Sequence, residues 1–163
     1  ETGAGGAAPK HVQQFLREGH LRWDSLGEYV ALGANLEDIA RKTKDDKIKA
    51  LGDALNVAVE KFLDANKSPS RKANEIDNRG SHFYFALYWA EALSQSSHAE
   101  LKSEFEPVFK QLSEQEAVIS EDLLKCQGSP VELGGYFKVD PAAVAAAMRP
   151  SAALNTIVDG LLK

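Results

Sequence analysis

The chain holds one cysteine, Cys126, and one methionine, Met148, among 163 residues. A single cysteine excludes an intrachain disulfide and points to a reducing, cytoplasmic compartment. Beside Leu123 and Leu124, that thiol reads as a buried apolar filler rather than a redox site. Apolar runs long enough to span a bilayer are missing, and no segment has the pattern of a signal peptide. Basic residues are outnumbered, 19 Lys and Arg against 24 Asp and Glu, for a formal net charge of −5. That balance argues against a general binder of nucleic acid or anionic membrane, so cations must be judged locally. His11, His20, His82 and His98 lack ligand-like spacing with Cys or acidic residues, so no metal site is recognisable. A nucleophile elbow, a Gly-x-x-x-x-Gly-Lys-Ser/Thr phosphate loop and a CxxC pair are equally missing.

The length suffices for one domain with a real core, and the periodicity is that of a mainly α protein. Pro9 to Glu18 reads as a short helix ended by Gly19. Ser25-x-x-Glu28 has the form of a capping box opening a second helix, whose apolar face carries Leu26, Tyr29, Val30, Leu36 and Ile39. Gly27 and Gly33 weaken that helix by roughly 1 kcal/mol each relative to Ala, a cost that close helix packing would offset. Asp45 or Asp46 caps a third helix, with Ile48, Leu51, Leu55, Val59, Phe62 and Leu63 on one stripe, until Ser68-Pro69-Ser70 breaks the pattern.

From Ser81 to Leu93 the apolar residues point all round a helical wheel, so this helix is expected to be surrounded by protein. Leu101, Phe105, Val108, Phe109 and Leu112 form another stripe, in which Pro107 either kinks the helix or begins its second part. Ser113-x-x-Glu116 reads as a second capping box, opening a helix with Val118, Ile119, Leu123 and Leu124. After an irregular stretch, Asp140-Pro141 starts an alanine-rich helix up to Met148, and Ser151 begins a last short one.

Three groups carry chemistry. The opening Glu1-Thr-Gly-Ala-Gly-Gly-Ala-Ala-Pro-Lys-His11 reads as a glycine-rich loop leading to a helix at Pro9. Free amides, the positive helix end and the cations Lys10 and His11 would there favour an anion such as a nucleotide phosphate. Arg22-Trp23-Asp24 could join it through tertiary structure. The plain alternative is a small-residue terminus with solvated charges. Second, Lys67, Arg71 and Lys72 flank a breaker and suit either a phosphate or a solvated turn. Third, in Asp77-Asn78-Arg79-Gly80-Ser81-His82 the favoured reading is structural. Asp77 or Asn78 caps the buried helix, and Arg79 pairs with a carboxylate.

Several runs, in order, carry a resemblance. They are Glu1 to Phe15, Leu21-Arg-Trp-Asp-Ser-Leu-Gly-Glu28, Asn66-Lys-Ser-Pro-Ser-Arg-Lys72, Glu75-Ile-Asp-Asn-Arg-Gly-Ser-His-Phe-Tyr84, Ala86-Leu-Tyr-Trp-Ala90 and Ala147-Met-Arg-Pro-Ser-Ala152. The chain resembles the C-terminal region of the monomeric-type NADP-dependent isocitrate dehydrogenases, over nearly its whole length. That implies one helical region, residues 1–163, of an isocitrate/isopropylmalate dehydrogenase-like α/β enzyme. It also implies oxidative decarboxylation of isocitrate to 2-oxoglutarate with NADP and Mg²⁺ or Mn²⁺. Carried over by position, Ala7 and His11 belong to the cofactor loop, Arg22, Trp23 and Asp24 form a second contact strip, and Arg71 a third, with Lys10 as a helper. His11, Arg22 and Arg71 would meet the 2′-phosphate. The resemblance places the metal ligands and the isocitrate-binding and proton-transfer residues in upstream sequence, so that this segment is inactive alone and packs against that upstream part. The alternative expectation is a stand-alone, non-catalytic helical module that binds a nucleotide or a partner.

Overall fold

Helices account for all regular structure in the computed structural model, which describes residues 4–135 and 137–161 and has no strand among them. In chain order they are α1 (Ala4–Glu18), α2 (Leu26–Thr43), α3 (Asp46–Asp64), α4 (Asn78–Ser94), α5 (Ala99–Glu114), α6 (Glu116–Lys125), α7 (Pro141–Met148) and α8 (Ala152–Gly160).

The opening loop is corrected. Gly5 and Gly6 are helical, and Pro9 lies inside α1 instead of at its first turn. Ala4, Ala7 and Ala8 favour helix strongly enough to carry the two glycines, and the lost N–H of Pro9 removes only the bond to the Gly5 carbonyl. The open amides of α1 therefore belong to the turn starting at Ala4, not to the residues flanking Lys10 and His11. Gly3 lies outside the described residues. The helix ends as expected. Gly19 adopts φ +61°, its N–H donates to the Phe15 carbonyl at 2.8 Å, and a Cβ there would stand 2.9 Å from the Cys126 carbonyl oxygen.

Two compact units partition the chain. One comprises Ser25–Ser68 and His82–Glu114, and so contains α2, α3, most of α4, and α5. Its core is apolar: Leu55, Ala58 and Phe62 are wholly buried, with Tyr29, Phe83, Phe85 and Leu93 nearly so. Tyr29 stacks on Phe85 with centroids 3.8 Å apart and planes 2° from parallel, while Phe62 meets both rings edge-on. Residues on several sides of α4 are buried, as its wheel requires. Gly33 is where α2 and α3 approach closely, since a Cβ would lie 2.8 Å from Asn56 Oδ1. Gly27 faces open space, so the packing explanation fails for it.

Both capping boxes are corrected as well. Ser25 sits at the N-cap of α2 with ψ 13°, outside the extended region that aims a capping side chain, and makes no cap hydrogen bond. Ser113 belongs to the last turn of α5, where its hydroxyl donates to the Lys110 carbonyl, and Gln115 takes the N-cap of α6. Asp45 does cap α3, accepting from the N–H groups of Lys47 and Ile48.

The other unit comprises Glu1–Asp24, Pro69–Ser81 and Gln115–Lys163. Here α8 touches α6, on which Ile119 and Leu123 are buried, and Ser151 caps α8 while its hydroxyl donates to Asp122. Asp140 caps α7 with Pro141 at the start, as the sequence indicates. Much of the remaining interior is polar, and it organises the candidate site.

Candidate functional site

The segment that leaves α1 is pinned at successive residues to the start of α4. Asp77, wholly buried, accepts from the backbone N–H of Leu21 at 3.2 Å and from those of Arg79 and Gly80 at 2.9 and 3.3 Å. It thus caps α4, whose first amides have no partner within the helix. The Leu21 carbonyl accepts from the Asn78 N–H at 2.6 Å, and the Trp23 carbonyl from the Asn78 side chain at 2.7 Å. Arg79, also buried, donates to the Asp77 carboxylate at 2.5 and 2.9 Å and to the carbonyls of Gly19 and Ala147. The capping and pairing read from the sequence are both present.

The segment around Pro69 is fixed beside it. The Ser70 N–H donates to the Ile76 carbonyl at 2.7 Å, and the Gln14 side chain on α1 donates to the Arg71 carbonyl at 3.0 Å. These ties converge on a cleft of about 150 Å³ lined by His11, Arg22, Asp24, Pro69 and Arg71.

Four residues singled out in the sequence thus come together from three separate segments. His11 is buried on α1, its ring edge-to-face with Trp23 at 5.7 Å and 82°. Arg22 is half-buried, and its Nε is shielded from water with no hydrogen-bond partner among the described residues. Such a donor is costly to leave unmet and suits an incoming acceptor. Two guanidiniums face one carboxylate, so the wall is positive by one charge before His11 is counted.

Trp23 supports the cleft through His11 and does not line it. Lys10 is exposed on α1 away from the lining, and Ala7 is part of the α1 backbone, its side chain outside the described residues. The three cations around the breaker separate: only Arg71 lines the cleft, while the Lys67 ammonium sits 3.7 Å over the Tyr84 ring. Sequence reasoning missed Pro69 as a wall, and Gln14, His20 and Gln127 as supports. His20 could have been suspected because it directly follows the Gly19 helix stop, but nothing in the sequence announces a partner 107 residues away.

Cys126 is half-buried, and burial pushes its thiol above the ordinary value, so it is not an activated nucleophile. Among the described residues no group of three or more His, Cys, Asp or Glu is arranged to hold a metal ion, and no helix is long and apolar enough to cross a membrane.

Fold and site define an all-helical segment with a small cleft whose described lining carries two guanidiniums, an imidazole and one carboxylate. Residues 1–159 match the family model of monomeric isocitrate dehydrogenase, and the chain belongs to that family. It is 53% identical over 163 residues to the NADP isocitrate dehydrogenase 2 of Colwellia maris, covering 99% of this chain and 22% of the relative. The NADP isocitrate dehydrogenase of Azotobacter vinelandii is 53% identical over 156 residues, covering 95% of this chain and 21% of its own length. That of Mycobacterium tuberculosis, named isocitrate dehydrogenase 2, is 49% identical over 162 residues, again covering 99% of this chain and 22% of the relative. The chain therefore spans between a fifth and a quarter of the length of these curated relatives.

Proposed function

We propose that this chain supplies part of the NADP site of an isocitrate dehydrogenase, with His11, Arg22 and Arg71 gathered around the 2′-phosphate. The observation that carries this reading is the convergence of those three side chains on one cleft, where Arg22 keeps a buried, unmet donor. A dianionic phosphate fits the set: planar guanidiniums give directional charge-assisted hydrogen bonds, and an imidazole adds a further donor. Trp23 orients His11 from the side, and Asp24 faces the same cleft with an acceptor for a ribose or base donor. On this reading Ala7 and Lys10, on α1 and apart from the residues that line the cleft, meet the cofactor beyond its 2′-phosphate. NADP, when bound, supplies the hydride acceptor for converting isocitrate to 2-oxoglutarate and CO₂. The residues here bind it and select it over NAD.

Isocitrate and the Mg²⁺ or Mn²⁺ ion fall, on this reading, to the larger share of the family's length that this chain does not span. A surface for that remainder is supported by α7, an alanine-rich helix with no buried residue, and by the fully exposed Phe137 beside it. The single thiol, Cys126, fits a cytoplasmic setting.

In the complete enzyme, Arg22→Ala or Arg71→Ala should weaken NADP binding about 10- to 100-fold, the range expected for losing a charge-assisted hydrogen bond, and leave NAD binding nearly unchanged. Equal losses for both cofactors would reject the 2′-phosphate assignment. The 163-residue chain alone should not turn over isocitrate, and measurable turnover would refute its incompleteness.

A further inference from the structure

His20 is wholly buried between Gly19 and Leu21, two residues before Arg22. Its Nε2 lies 2.8 Å from the Ser70 carbonyl oxygen, and its Nδ1 lies 2.6 Å from Gln127 Oε1. A backbone carbonyl only accepts, so Nε2 must carry a proton. The Gln127 amide is equally constrained. Its Nε2 donates to the carbonyls of Glu75 and Leu123 at 3.0 and 3.1 Å, while Oε1 accepts from the Asn74 N–H at 2.9 Å. Turning the amide over would set its oxygen against two carbonyls and its NH₂ against an N–H, losing every one of these bonds. Oε1 therefore faces His20, and Nδ1 must donate too. A neutral imidazole has only one N–H.

We propose that His20 is a buried imidazolium that acts as a positioning residue for the cleft, its two protons tying the Ser70 carbonyl, and with it Arg71, to the segment carrying Arg22. The functional half rests on the NADP reading above; the protonation does not. Neighbouring elements carry Glu18 on α1, Arg71 and Glu75 on the Ser70 segment, Asp77 and Arg79 at the start of α4, and Asp122 on α6. Of these, the Asp77 carboxylate accepts from the N–H of Leu21, the residue that follows His20. Losing one proton would leave a nitrogen lone pair against either the Ser70 or the Gln127 oxygen, releasing one end of the tie. Arg71 would then lose its register with Arg22, although neither side chain has changed.

Two measurements on the complete enzyme test this. In long-range ¹H–¹⁵N spectra of the histidine-labelled protein at pH 7, the ring signal that vanishes in His20→Gln should show both nitrogens protonated. One unprotonated ring nitrogen would overturn the imidazolium. Kinetically, His20→Gln can donate to only one of the two oxygens. It should raise KM for NADP about tenfold, as for one lost charged hydrogen bond, with kcat within about twofold and the KM for NAD little changed. Unchanged KM for NADP would overturn the positioning role. Failure of the cofactor reading itself would instead appear as unaltered NADP selectivity in Arg71→Ala, with the His20 spectrum still that of an imidazolium.

Discussion

The unit built on α2, α3 and α5 and the unit that carries the cleft solve burial in opposite ways. The first hides hydrocarbon and aromatic rings: Leu55, Ala58, Phe62, Phe85 and the stacked Tyr29. The second buries a few apolar side chains, Phe15, Ile119, Leu123 and Ile157, but beside them His20, Asp77, Arg79, Ser81, Gln127 and Ser151. Apolar contact is non-directional and close to additive in area, so such a core accepts alternatives of similar volume. A polar interior is directional. Its bonds here fix two irregular segments that no helix could hold, and they do so beside the cleft. A buried ion pair is weak evidence for net stability, but it penalises every arrangement in which either partner is left alone. The difference teaches that the segments around the cleft are held in place by directional polar bonds, which apolar contact alone does not supply.

The comparison breaks most visibly at Asp77. Asp77→Ala should cost about 3–5 kcal/mol, the range for removing one member of a buried pair, because Arg79 would stay buried and charged. Even the near-isosteric Asp77→Asn should be strongly destabilising, read as the shift of the urea midpoint. A loss below about 1 kcal/mol for Asp77→Asn would mean that shape, not charge, holds the network. The apolar unit should behave otherwise. Leu55→Ala should cost about 2–5 kcal/mol by opening a cavity, but Leu55→Met less than about 1.5. If Leu55→Met proved as damaging as Leu55→Ala, the apolar core would be as exacting as the polar one and the contrast would fall.

The same contrast decides what the sequence could reveal. Periodicity exposes cores made of hydrocarbon, so α3 was legible from Leu55 and Phe62, the all-round burial of α4 from Phe83 and Phe85, α5 from Leu101, Val108 and Leu112, and α6 from Ile119 and Leu123. Local chemistry exposed the stops and caps at Gly19, Asp45, Asp77, Asp140 and Ser151. It misled at Ser25 and Ser113, where the motif is present but the backbone does not aim the hydroxyl. It also misled at Gly5 and Gly6, whose freedom to form a loop does not oblige them to leave a helix rich in alanine. The cleft residues His11, Arg22, Asp24 and Arg71 were legible by resemblance, since no spacing rule joins positions 11, 22 and 71. The His20–Gln127 tie was not legible at all. Hydrogen bonds across 107 residues leave no periodic trace in the sequence.

The smallest effect sharpens the comparison from the edge of the polar unit. The Cys126 thiol is raised first of all by burial, while Asp77 and Asp122 push in the same direction and Arg79 opposes them. The folded state therefore keeps this proton at pH values where the unfolded chain releases it. The stabilisation is fully present below the ordinary thiol value and is lost as the pH rises above about 9. Lysines such as Lys47, Lys49 and Lys125, raised by hydrogen bonds to Glu100, Asp53 and Glu121, change stability in the same sense but at higher pH. Cys126→Ser keeps a donor for the Leu123 carbonyl and removes only the titration. Urea midpoints measured from pH 7 to 10 should fall more steeply for the wild type than for Cys126→Ser between about pH 9 and 10. Parallel curves would show that this thiol is solvated like one on a flexible chain, and that the buried polar region stops short of the end of α6.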